Sequence, residues 1–114
     1  MPITHENREW LDLAELAERL GLSRGKVKRL LEERQLLAVR LEREPHVPAA
    51  MLLDGAPLPG LRGTVILLAD AGMEDEEIMR WLLSEDEVLG AAPLDALRQG
   101  RRTQVRHSVQ LLAL

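Results

Sequence analysis

The chain has 114 residues, 46% hydrophobic and 30% charged, which excludes a disordered chain and leaves room for one domain or two very small ones. It contains no Cys, Phe or Tyr, only two Trp, and 24 Leu. That composition excludes disulfides, thiolate metal sites and thiol nucleophiles, and it favours helices over sheets.

The net charge of −4 is unevenly spread. Residues 23–43 hold seven basic side chains (Arg24, Lys26, Lys28, Arg29, Arg34, Arg40, Arg43) against three acids. Residues 53–97 hold two arginines against ten acids, and residues 98–114 hold four arginines and no acid. Screening limits each field to roughly 10 Å at physiological salt, so a local basic patch survives an acidic total. With no apolar run of about 18 residues and no charged-then-apolar leader, an intracellular, cytoplasmic protein is expected.

Leu11-Asp12-Leu13-Ala14-Glu15 opens the first predicted helix. Asp12 is its N-cap, Glu15 completes a capping box, and Leu11 meets Leu16 as a hydrophobic staple. Leu13, Leu16, Ala17 and Leu20 form one stripe, and Gly21 closes the helix in the left-handed conformation. Ser23 then caps a second helix whose buried stripe is Val27, Leu30 and Leu31, leaving Gly25, Lys28, Arg29 and Glu32 outside. Two short helices joined by a Gly-Leu-Ser turn, the second basic on its outer face, make a helix-turn-helix pattern.

Ala38, Val39 and Leu41 suit a short strand. After the polar break Glu42-Arg43-Glu44, the return at His46-Val47 completes a small hairpin, a wing, with Pro45 and Pro48 expected at edges. Pro57-Leu58-Pro59-Gly60 is the most linker-like stretch, and the expected boundary falls between residues 1–56 and 57–114. Beyond it come a helix from Leu61 to Ala71, closed by Gly72, and a second that opens on Glu74-Asp75-Glu76-Glu77. Ile78, Trp81 and Leu82 are the apolar face of the latter, with Trp81 in the core. A short helix runs from Pro93 to Arg98, and a last one from about Arg101 to Ala113 carries Val105, Val109 and Leu112 on one stripe. The predicted fold is mainly α: an N-terminal winged helix-turn-helix followed by a C-terminal helical subdomain.

The stretch LDLAELAERLGLSRGKVKRLLEERQLLAVRLEREPHVPAAML resembles the MerR/excisionase type of winged helix-turn-helix domain. The matching features are the opening helix, the Gly-Leu-Ser turn, the basic second helix, the LLAVR exit and the Val-Pro that closes the wing. With LPGLRGTVILLADAGMEDEEIMRWLL and the PLDAL helix, nearly the whole chain resembles small actinobacterial winged-helix DNA-binding proteins that carry their own C-terminal helical domain. The tail EDEVLGAAPLDALRQGRR is more faintly similar to the toxin-binding domain of Xre/ParS-type antitoxins. The first resemblance implies sequence-selective DNA binding without catalysis, with Lys28 and Arg29 in the recognition-helix role and Arg40 and Arg43 in the wing role. Glu32 departs from an ideal DNA-facing surface.

The candidate DNA-contacting set is Ser23, Arg24, Gly25, Lys26, Lys28, Arg29, Arg40, Arg43 and His46. Gly25 would let its backbone approach a phosphate closely at a helix end that already favours anions. Glu32 either repels phosphate or accepts from a cytosine amino group, and Lys28 one turn earlier could neutralise it. A solvated basic face is the plain alternative for the helix, and an exposed flank balancing the acidic middle is the plain reading of Arg98, Arg101, Arg102 and Arg106. A second phosphate contact is the alternative for those four.

His5, His46 and His107 lack metal-ligand spacing, no Gly-rich phosphate loop exists, and neither Ser84 nor Ser108 has an activating base nearby, so neither enzyme nor cofactor is expected. The expected function is a bacterial transcriptional regulator or nucleoid-associated factor on double-stranded DNA. The alternative is a protein-interaction adaptor or antitoxin-like module whose C-terminal helices hold a second copy or a protein partner.

Overall fold

A computed structural model describes residues 8–112. Six helices lie among them: α1 Leu13–Leu20, α2 Arg24–Glu32, α3 Leu61–Asp70, α4 Asp75–Leu83, α5 Pro93–Arg98 and α6 Arg102–Leu112. Three short strands, β1 Trp10–Asp12, β2 Val39–Leu41 and β3 Glu44–Pro48, form an antiparallel sheet in the order β1-β3-β2. A second small hairpin pairs β4 Leu52–Leu53 with β5 Ala56–Pro57 after a 3-10 turn at Ala49–Met51. This is the mainly-α winged helix-turn-helix with a C-terminal helical region that the sequence leads one to expect.

The caps explain why the first two helices begin and end where they do. Asp12 accepts from the Glu15 N–H at 2.8 Å while Glu15 accepts from the Asp12 N–H at 3.1 Å, closing the capping box. Gly21 sits at φ 68° and ends α1, and Ser23 accepts from the Lys26 N–H at 3.3 Å to start α2. Leu16 on α1 and Val27 on α2 are fully buried between the helices. Leu30 and Leu31, expected in the same stripe, are only half-buried, because they lie on either side of the direction that Val27 takes into the core.

Both wing prolines belong to β3, the central strand, and not to an edge strand. The register explains how the sheet accommodates them. Ala49 N–H donates to the Glu9 carbonyl at 2.9 Å, so odd-numbered residues here address β1 and even-numbered ones β2. Pro45 therefore faces past the last β1 pair, Asp12–His46, and Pro48 faces past the last β2 pair, Val39–His46. Neither ring removes a ladder hydrogen bond.

One hydrophobic cluster runs from Leu11 through Val47, Met51 and Leu61 to Val109, so both halves of the chain share a core. The Pro57–Gly60 stretch is not loose. Leu58 is buried, and Gly60, at φ 87°, lies so close to Arg102 and Leu97 that an added Cβ would come within 3.0 Å of Arg102 Nε. In α4 the buried face is Ile78, Met79, Leu82 and Leu83, which leaves Trp81 half-buried at the edge of the core and not inside it. Leu112, expected on the buried stripe of α6, is 52% exposed.

Candidate nucleic-acid interface

The outer face of α2 follows from its helical phase. With Val27 fixed inward, Lys28, Glu32, Gly25 and Arg29 project away, and Arg24 and Lys26 flank them; all six are exposed. None of the four cations forms a salt bridge with a described carboxylate. Lys28 in particular does not pair with Glu32, so the acid is not neutralised within the helix. At Gly25 an added Cβ would meet nothing closer than Ser23 Oγ at 4.0 Å. No packing inside the protein calls for a glycine there, although it costs the helix about 1 kcal/mol relative to alanine.

Arg24, the first residue of α2, lines a cleft of about 290 Å³ with Asp12, Leu13 and Ala14 at the start of α1 and Glu44 and Pro45 on the wing. The wing turn is made by Glu42 and Arg43 at φ 52° and 72°, both left-handed. Turns of this kind ordinarily take Asn-Gly, and each larger residue costs roughly 1–2 kcal/mol. Arg40 holds the turn by donating from Nη1 to the Arg43 carbonyl at 3.0 Å, which leaves the Arg43 side chain at the exposed tip. His46 is half-buried, and its Nδ1 donates to the Glu44 carbonyl at 2.9 Å. Only Nε2 remains to meet a phosphate, and it can donate only from the doubly protonated ring.

The end of α2 is held from the other half of the chain. Arg34 sits left-handed at φ 64° as the helix terminates, where Gln35 N–H reaches the Leu30 carbonyl at 2.9 Å. Its guanidinium then pairs with Asp75 at 2.7 Å, which removes it from the basic patch in which its sequence position had placed it. Arg62 on α3 donates from Nε to the Glu33 carbonyl at 2.9 Å, satisfying a backbone group that α2 leaves open. Asp75 and Arg62 escape a local reading because they lie 41 and 29 residues from their partners.

The C-terminal arginines divide. Arg98 donates to the Ala50 carbonyl at 3.0 Å and to the Leu52 carbonyl, and Arg101 to the Leu89 carbonyl at 2.9 Å. Arg102 and Arg106 stay exposed on α6. Among the described residues no three His, Asp or Glu side chains gather as metal ligands; His46 and His107 lie on different elements, and His5 is outside the described residues. No described helix is long and apolar enough to cross a membrane.

Residues 3–52 match the family described as DNA-binding protein Rv2175c, wHTH domain, and residues 58–113 match the Rv2175c C-terminal domain of unknown function. The DNA-binding protein Rv2175c of Mycobacterium tuberculosis (strain ATCC 25618 / H37Rv) is 34% identical over 115 aligned residues, which span 90% of this chain and 79% of that protein. The NMR structure of Rv2175c superposes with a TM-score of 0.88 at 30% identity, covering 100% of this chain and 87% of that one. These matches are to the Rv2175c type of winged helix, not to MerR/excisionase or Xre/ParS proteins. With both of its parts and its fold matched in order, the chain belongs to the Rv2175c family of winged helix-turn-helix proteins.

Proposed function

We propose that this chain is a sequence-selective duplex DNA-binding protein, acting in the bacterial cytoplasm as a transcriptional regulator or nucleoid-associated factor and not as an enzyme. The observation that carries the reading is the exposed α2 face: four cations that pair with no described carboxylate, around an open glycine and beside a hairpin tipped by Arg43. The name of the relative, DNA-binding protein Rv2175c, supports it. In this reading residues 1–56 read the DNA, with α2 in the major groove and the wing on the backbone, and residues 57–114 hold α2 in place. Lys28 and Arg29 reach base edges; Arg24, Lys26 and Arg43 meet phosphates, and Ser23 and Gly25 present the helix N-terminus. Arg40 and His46 support the wing.

Fluorescence anisotropy on labelled duplexes at several salt concentrations tests this. The three cationic phosphate contacts of Arg24, Lys26 and Arg43 would make log K fall against log salt with a slope of about −3. Lys28→Ala or Arg29→Ala should lose about 1–3 kcal/mol on a preferred site and narrow its advantage over scrambled DNA. Arg43→Ala should weaken both duplexes alike and shallow the slope by about one. A flat salt profile would remove DNA binding; wing variants that lose selectivity while helix variants lose uniform affinity would invert the assignment.

A second reading has its own observation, an apolar groove between α3 and α6 that no described residue covers. It casts the C-terminal helices as a contact for a second copy of this chain or for another protein.

A further inference from the structure

We infer that the α3–α6 groove is a docking site for an amphipathic helix of a partner protein, acidic at the end that lies beside Arg102 and Arg106. The inference deepens the second reading above and rests on it, and it is independent of DNA binding. The groove has a volume of about 500 Å³ and is lined by Gly63, Ile66, Leu67, Arg106, Val109 and Gln110. Its two walls follow helical spacing. Gly63, Ile66 and Leu67 stand at i, i+3 and i+4 on α3, and Arg106, Val109 and Gln110 repeat that spacing on α6. Leu67 is 40% exposed, although a leucine in a mid-helix position facing a neighbouring helix ordinarily closes on it.

Gly63 sharpens the point. It lies inside α3, where glycine weakens a helix, yet an added Cβ there would meet no atom within 4 Å. The missing side chain is not required by this chain's own packing; it lowers the floor of the groove where a visiting helix would come closest. A groove with Ile66 and Leu67 on one helix, and Arg106 and Gln110 beside a buried Val109 on the other, offers an apolar seat with a charged end to an amphipathic helix.

Charge selects the visitor. A second cleft continues the groove towards Gly60 and is lined by Arg62, Arg102 and Arg106, with no carboxylate from the described residues. Arg62 is engaged with the Glu33 carbonyl, whereas Arg102 and Arg106 pair with no carboxylate among the described residues. Asp70, at the far end of the same α3 face, is one turn beyond Leu67, so the groove is basic at one end only. A second copy packed about a twofold axis along the groove would bring Arg106 towards Arg106, which like-charge repulsion disfavours, and an antiparallel pair would show as self-association. Nucleic acid would find phosphate partners but no use for Ile66, Leu67 and Val109.

The test uses the full-length chain and three fluorescein-labelled helical peptides of about 16 residues with one shared leucine stripe. Their polar positions at one end are Glu, Gln or Lys. Two exposed charge pairs predict that the Glu peptide binds about tenfold tighter than the Gln peptide at low salt, with the Lys peptide weakest. Arg106→Glu should reverse the order of the Glu and Lys peptides. Leu67→Glu should abolish binding of all three while its duplex affinity, measured on the same preparation, stays that of the parent. Equal binding of the Glu and Lys peptides, binding that survives both substitutions, or no binding of any peptide at about 500 μM would overturn the inference. Sedimentation velocity completes the test. Self-association that Leu67→Glu abolishes would overturn the acidic partner while leaving the C-terminal helices as a protein contact, so the two failures are told apart.

Discussion

Gly25 and Arg43 carry the same kind of cost in opposite forms. One is a glycine where the backbone is helical, and the other is an arginine where the backbone is left-handed at φ 72°. Both are exposed, and neither choice helps the fold. Gly25→Ala should raise stability by about 0.5–1 kcal/mol. If a phosphate approaches that backbone, the same change should lose about 1.5–3 kcal/mol of duplex affinity, the worth of a charge-assisted hydrogen bond. Arg43→Gly should stabilise the chain by roughly 1 kcal/mol in urea unfolding while weakening DNA binding. Arg34 is the contrasting residue. Paired with Asp75 and partly exposed, it should tolerate Arg34→Gln at a cost below about 1 kcal/mol, with an unchanged salt slope. A shallower slope for that variant would return Arg34 to the phosphate-binding set.

At the scale of the element, α1 and α2 were legible because their signals are local. Caps, staple and stripe are written in near neighbours, and both helices start at the expected caps, Asp12 and Ser23, with α1 ending at Gly21 as expected. The depth of each side chain was not legible. Leu16 is fully buried and Leu30 half-buried, so Leu16→Ala should cost about 2–5 kcal/mol and Leu30→Ala clearly less, in chemical denaturation of the two variants. The hairpins show two different kinds of limit. The β4–β5 hairpin turns at Asp54–Gly55, φ 53° and 75°, and that dipeptide is itself a strong hairpin signal in the sequence. By contrast β1 has three residues, too few for alternation to register, and it exists because β3 offers it an edge.

At the scale of the whole molecule, the halves are bound by more than the peptide between them. Arg8 pairs with Asp95 through both carboxylate oxygens, at 3.1 and 2.6 Å, and Arg34 pairs with Asp75 over the shared core. Part of the acidic excess of residues 53–97 thus answers arginines of the first half. A continuous core should unfold as one unit. Trp10→Phe and Trp81→Phe each leave a single fluorophore, one in either half, and their urea midpoints should differ only by the cost of the substitution itself. Two separated transitions within one variant would mean that the halves are independent. Gly60 is the tightest point of the junction; Gly60→Ala should cost about 1–3 kcal/mol through left-handed strain and contact with Arg102.

The sequence by itself determined what short-range chemistry can determine: the caps, the helical phase that turns Lys28 and Arg29 outward, the wing, and the absence of cysteine chemistry. Side-chain periodicity and capping act within one or two turns, so they are written in neighbouring residues. Tertiary structure alone decided which charges remain available, since Arg34 and Arg98 find their partners more than 40 residues away. It also decided which apolar residues stay uncovered, since Leu67 and Leu68 are adjacent leucines of one helix and only the placement of α6 makes one groove and the other core.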